Sequence, residues 1–234
     1  MPVISDPGIR ITPADVIASW GPRRNRLASQ RMSELLSALL AQVHSQGWIQ
    51  PSFSFRIWPV ESSGPGWLDL GGGVRIASRN LSHHLPRVTF AAAAVCTIGE
   101  TLEKRVSERF AAGDRLRGVL LDEIGTLALF RLSDRAEGEI QSEAARYGLE
   151  AGGPLNPGED GFDISQQGTI VELANGSSIG ISNAGAMLVP RKSISLLIGI
   201  GVGMPKWNRG ERCAVCAARD RCPHRRSHII GAWS

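Results

Sequence analysis

Apolar residues recur along this chain with two different spacings, and the changes of spacing mark its elements. From Arg23 to His44, the positions Leu27, Met32, Leu35, Leu36, Leu39, Leu40 and Val43 return every three or four residues. That period places them on one face of a helix, which Gly47 stops. Phe53-Ser54-Phe55-Arg56-Ile57-Trp58 alternates instead, as a half-buried strand does, and Glu61 to Gly66 is a turn-rich loop. Arg87 to Thr97 is a short apolar run that reads as a buried strand, with its four alanines leaving helix open.

The clearest helical signal follows. Gly99 to Ala112 reads as one helix, Gly113 stops it, and Asp114 is a capping residue for a much longer one from about Arg115 to Tyr147. Its expected core stripe is Leu116, Val119, Leu120, Ile124, Leu127, Ala128 and Leu132. Gly118, Gly125 and Gly138 each weaken a helix by about 1 kcal/mol relative to alanine, so close packing of a neighbour is expected against them. Gly148 to Gly161 reads as a loop, Asp163 to Ala174 as a helix ended by Asn175-Gly176, and Ser178–Ser182 and Ser193–Val202 as two strands flanking Met187 to Lys192. Helices and strands come in runs rather than in βαβ alternation, which predicts the α+β class.

Length and composition narrow this picture. The 234 residues suit one domain with appendages, and 42% hydrophobic with 21% charged residues describes a globular chain. The organisation expected is an N-terminal helix and strand over residues 1–90 belonging to the same domain as a core over 91–203, then a tail over 204–234. The longest apolar runs, Ala91–Cys96 and Ile194–Val202, are far shorter than the roughly 18–20 residues of a bilayer-crossing helix, so no membrane partner is expected. Met1 to Asp6 lacks the basic, apolar, small-residue order of a signal peptide, which predicts a cytoplasmic location.

Charge and cysteine are both concentrated in the tail. From Met204 onward seven Lys or Arg face only Glu211 and Asp220, so the whole formal charge of +4 resides there. A basic tail suits an anionic partner, but without interleaved aromatics it makes nucleic acid an unlikely one. In a reducing compartment closely spaced thiols serve more often as metal ligands than as disulfides. Cys213-x2-Cys216-x5-Cys222 places three thiolates within ten residues, with Cys96 apart from them. The fourth ligand could be His224, His228, Cys96 or exogenous. Zinc would want it for a closed site, whereas an iron-sulfur cluster can leave one iron open. Arg212, Arg219, Arg221, Arg225 and Arg226 would offset the negative charge of either centre.

Four segments between about Val95 and Val202 carry a family likeness. They are Thr97 to Glu103; Gly113-Asp114 with Leu120 to Gly125; Asn156-Pro157-Gly158 followed by Phe162 to Gln167; and Met187-x-x-Pro190-x-Lys192-Ser193-x-Ser195. In this order and at these separations the chain resembles the reactivation domain of cobalamin-dependent methionine synthase, especially its small stand-alone relatives. The resemblance implies helices packed on a mainly antiparallel, curved sheet. It also implies binding of S-adenosylmethionine and a partner that is a corrinoid- or cobalamin-dependent methyltransferase. The implied activity is reductive methylation of that partner's cobalt, which takes one electron and a methyl group. An alternative is a docking or electron-transfer module with a metal or iron-sulfur site in its tail and no catalysis of its own.

The ligand-binding residues implied are Asn156, Gly158, Glu159, Met187, Lys192 and Ser193, with Cys213, Cys216 and Cys222 as metal ligands. One departure has chemical weight. The family's loop carries an arginine two residues before the position of Asn156 and a tyrosine just after that of Gly158; here these are Pro154 and Glu159. A donor for the ligand's carboxylate would have to come from elsewhere, such as Arg146 or Arg191.

Other features have plainer readings. Gly71-Gly72-Gly73 lacks the Lys-Ser/Thr of a phosphate loop and reads as a hairpin or bulge. His83-His84 reads as a surface turn, His44 as a helix end favoured by the dipole, and Trp20, Trp48, Trp58 and Trp67 as core packing. Asp122 and Glu123 are placed to meet an ammonium group or to be solvated.

Overall fold

A computed structural model describes residues 2–20, 29–79, 81, 85, 87–159, 161–207 and 211. His83, His84 and the three tail cysteines lie outside the described residues, as do Leu27 and the expected start of the first long helix. Among the described residues, ten strands and five α-helices are formed; the strands are β1 (Val3–Ser5), β2 (Ser52–Pro59), β3 (Ser62–Gly64), β4 (Trp67–Asp69), β5 (Arg75–Ala77), β6 (Val88–Thr97), β7 (Glu150–Leu155), β8 (Ser182–Ala184), β9 (Met187–Val189) and β10 (Ser193–Gly201). The helices of the described residues are α1 (Pro13–Ser19), α2 (Gln30–Ser45), α3 (Thr101–Ala111), α4 (Arg115–Ala145) and α5 (Gln167–Leu173). The class is α+β with a wholly antiparallel main sheet.

That sheet has the order β1-β2-β6-β10-β7. Its two central strands are buried on both faces, so they read as continuous apolar runs rather than as alternation. Along β6, Ala92, Ala94 and Cys96 face the helices, while Ala91, Ala93 and Val95 face the other layer. Four small side chains in a row bring both covering layers close to the sheet, and pairing with β2 and β10 along the length of β6 settles strand over helix. On the helical face, Leu36, Leu39 and Val43 of α2, Leu102 of α3 and the buried stripe of α4 form one core. On the opposite face lie the small β3-β4-β5 sheet, α5 and the β8-β9 hairpin, around Leu68, Ile76, Ile170 and Leu188.

The helices begin where their caps predict. Ser29 accepts from the N–H of Met32 at the head of α2, and Asp114 from that of Arg117 at the head of α4. The α4 stripe needs correction at its first turn: Leu116 and Val119 are 51% and 39% exposed, while Leu120, Ile124, Leu127, Ala128 and Leu132 are buried. Two of the three helix glycines are packing sites. A methyl on Gly118 would touch the Phe110 ring and one on Gly125 would lie 2.7 Å from Leu102 Cδ2, but nothing crowds Gly138.

Three stretches depart from the sequence pattern. Glu150 to Leu155 is a strand inside the expected loop. Its Gly152-Gly153-Pro154 core has poor strand propensity, which an edge position tolerates because a proline there needs no ladder donor. The last described segment of chain covers this edge: Gly153 N–H donates to Pro205 O at 3.0 Å, and Trp207 Nε1 donates to Pro154 O at 3.2 Å. The indole lies so close over Gly153 that any side chain there would collide with it. Ser178 to Ser182 is mostly a 3-10 turn (Gly176–Ile179) entered through Asn175 in the left-handed conformation, and the strand starts only at Ser182. Glu61 to Gly66 contains β3, paired with β4 in a hairpin, and the Gly71-Gly72-Gly73 run turns β4 into β5 with positive φ throughout.

Candidate functional site

A cleft of about 270 Å³ opens where β7 ends and β10 begins, on the face of the sheet away from α4. Asn156 and Pro157 form one wall, Ser193, Ile194 and Ser195 the floor, and Gln167, Met187, Leu188 and Arg191 the rest. The bend after β7 is built from its own polar groups. Gly158 takes φ +93°, a conformation a side chain would strain, and its N–H donates to Phe162 O at 2.8 Å. Glu159 turns back so that its carboxylate accepts from Asn156 N–H at 3.3 Å. Asn156 Nδ2 then donates to Ser195 O at 3.0 Å, tying the bend to the adjoining strand.

Beyond the bend, Asp163 caps a 3-10 turn that leads into α5. The Ser165 N–H and hydroxyl on its carboxylate hold its pKa below the usual range, helped by Arg79, with burial pulling the other way. Gln167, at the head of α5, is almost fully buried and donates through Nε2 to Asn183 Oδ1 of β8 at 3.2 Å. This bond pins the β8-β9 hairpin over the cleft, leaving Met187 57% exposed at the rim and Leu188 buried beneath it.

Strand alternation sorts the Lys-Ser segment. Ser193 pairs with Thr97 and Ser195 with Val95, and both serines line the cleft. Lys192 goes the other way, onto α4: its ammonium lies 2.8 Å from Asp122 Oδ1 and donates to Thr126 Oγ1 at 2.7 Å and to Asp122 O at 3.2 Å. Of the six residues implied as ligand-binding, Asn156, Met187 and Ser193 therefore line the cleft. Gly158 and Glu159 shape the bend behind it, and Lys192 braces the strand from the opposite face.

The sequence pattern alone did not bring in Gln167, Leu188, Ile194 or Ser195 as lining residues. The two arginines considered as donors are also separated. Arg191 lines the cleft, whereas Arg146 pairs with Glu143 near the end of α4, beside another hollow. A larger open hollow of about 980 Å³ lies between residues 5–12 and the end of α2, and none of the implied ligand-binding residues reaches it.

The cleft's chemistry is mixed. Pro157, Met187 and Leu188 offer apolar surface for a flat ring, and Asn156, Gln167, Ser193 and Ser195 offer donors and acceptors for a sugar or a base edge. Among the described residues, Arg191 is the one charged side chain in the lining. Ligand pockets commonly measure about 300–1,000 Å³, so a nucleoside-sized molecule would fill this cleft and extend across its rim. Among the described residues no three His, Cys, Asp or Glu side chains are grouped to hold a metal ion, and no helix is long and apolar enough to cross a membrane.

No family model matches the chain, and no curated protein matches it in sequence. Among solved structures, it is similar to the MetH reactivation domain bound to AdoHcy, with a TM-score of 0.60 and 12% identity. The match covers 94% of this chain and 86% of that one. At this identity the likeness is one of fold, and its coverage extends well beyond the 95–202 segment.

Proposed function

We propose that the cleft between the 156–158 bend and the head of β10 binds S-adenosylmethionine, and that the protein serves the reductive methylation of a corrinoid held by a partner methyltransferase. One observation carries the reading. Three of the six residues singled out by motif resemblance, Asn156, Met187 and Ser193, line an open cleft, in a fold similar to one whose solved structure holds AdoHcy. In this reading the sulfonium supplies the methyl group, and a donor outside the cleft supplies the electron. The chain's own part is to orient the nucleoside on Pro157 and Leu188, hold its polar edges on Asn156, Gln167, Ser193 and Ser195, and shield it from water under the β8-β9 hairpin. Gly158 and Glu159 keep the bend in shape, and Lys192 holds the strand in register.

Titration calorimetry of the full chain with S-adenosylhomocysteine tests binding directly. Saturable one-to-one heat is expected, and it should be lost when Ser195→Trp fills the floor. No heat at millimolar ligand would overturn the proposal and favour a docking or electron-transfer module. Methylation of a cobalt(II) corrinoid protein, followed by visible absorption with a chemical reductant present, then tests the reaction itself.

A further inference from the structure

Residues 191 and 192 are adjacent cations with opposite duties. The Lys192 ammonium is committed to Asp122 and Thr126 on the far face of the sheet. Arg191 remains at the cleft, its side chain 74% exposed, on the short connection between β9 and β10. One carboxylate holds it there: Glu103 of α3 accepts from the Arg191 main-chain N–H through Oε2 at 3.0 Å and lies 3.4 Å from Nε through Oε1. This grip uses the backbone and the inner nitrogen of the guanidinium. Nη1 and Nη2 have no partner among the described residues. A guanidinium steadied from behind, with two parallel N–H groups unspent, is the arrangement that takes a carboxylate by a forked pair of hydrogen bonds.

We infer that Arg191 is the residue that recognises the carboxylate of the ligand's amino-acid arm, and that Glu103 is a positioning residue acting through it. This rests on the proposed nucleoside site and adds what selects the ligand there. The two serines and two amides of the lining suit a nucleoside whether or not it carries an acid, whereas Arg191 alone distinguishes the two. Since Pro154 and Glu159 offer no cation at the bend, the donor comes from the strand that enters the floor. The cleft therefore discriminates for a carboxylate by means of the β9-β10 connection and not of the loop after β7.

The test compares S-adenosylmethionine with its decarboxylated analogue, which keeps the sulfonium and the amine. Wild-type full chain, Arg191→Ala, Arg191→Lys and Glu103→Gln are titrated with each. Wild type should favour the acid by about tenfold or more, in keeping with a charge-assisted bidentate pair. Arg191→Ala should bring that ratio to near unity while the analogue's affinity stays as it was; Arg191→Lys should restore part of it. Glu103→Gln should lower the ratio to an intermediate value, an effect that a merely structural loss would not produce, because such a loss weakens both ligands alike. If Arg191→Ala keeps the wild-type ratio, or if wild type binds both ligands equally, the inference fails and the nucleoside site stands. If wild type binds neither, the site itself is refuted and the inference with it.

Discussion

Replacing Gly153 by alanine puts a methyl carbon where the Trp207 indole now lies, 2.4 Å from its nearest ring atoms. No real contact is that short, so the ring must leave. With it goes the Nε1 hydrogen bond to Pro154 O, worth about 1 kcal/mol. Part of the aromatic burial is also lost, about 1–2 kcal/mol for a half-buried side chain. Opposing this, alanine restricts the unfolded chain and returns about 0.5–1 kcal/mol. The net expectation is about 1–2 kcal/mol of destabilisation, or a melting temperature lower by roughly 2–4 °C per kcal/mol in a domain of this size. The informative measurement is a double-mutant cycle by denaturant unfolding with Trp207→Ala. Once the indole is absent, Gly153→Ala should become neutral or stabilising, giving a coupling of about 2 kcal/mol. Equal costs of Gly153→Ala in both backgrounds, within about 0.3–0.5 kcal/mol, would refute the packing of Trp207 on this strand.

Two further outcomes are expected. Lys192→Met should cost about 1–2 kcal/mol in equilibrium unfolding, the discounted worth of a charge-assisted contact whose partner Asp122 is partly solvated, and Asp122→Asn should cost little more in the Lys192→Met background. Protein purified without oxygen should carry metal, seen by elemental analysis and, for an iron-sulfur centre, by visible absorption. Replacing Cys213, Cys216 and Cys222 by serine should abolish it, and a colourless, metal-free wild type would dispose of the tail site.

The long helices and the two central strands were legible because their apolar patterns are strong and burial decides them: over Ala91–Cys96 and Leu196–Ile200, β6 and β10 are buried on both faces and carry no polar side chain. The strand β7 was not legible, since Gly152, Gly153 and Pro154 are there to accommodate the incoming Pro205–Trp207 segment and say nothing by themselves about pairing. The short β3, β8 and β9 hairpin strands have too few residues to show a period. In the cleft, Asn156, Met187 and Ser193 followed from motif resemblance, whereas Gln167 and Ser195 acquired their places only from the packing of α5 and the register of β10. The sequence pair Lys192-Ser193 looked like one donor unit. Strand geometry splits it, because consecutive side chains leave a strand on opposite sides.

The Trp207 clasp also decides where the remaining chain is tethered. It anchors the chain on Gly153, three residues before Asn156, so everything that follows departs from a point within about 10 Å of the cleft wall. Cys213 is six residues further on, a span of at most about 20 Å when fully extended. Any group carried by the tail cysteines is therefore leashed within reach of the cleft, at an effective concentration there of order millimolar. Its local concentration at that cleft would not depend on how much protein the cell makes.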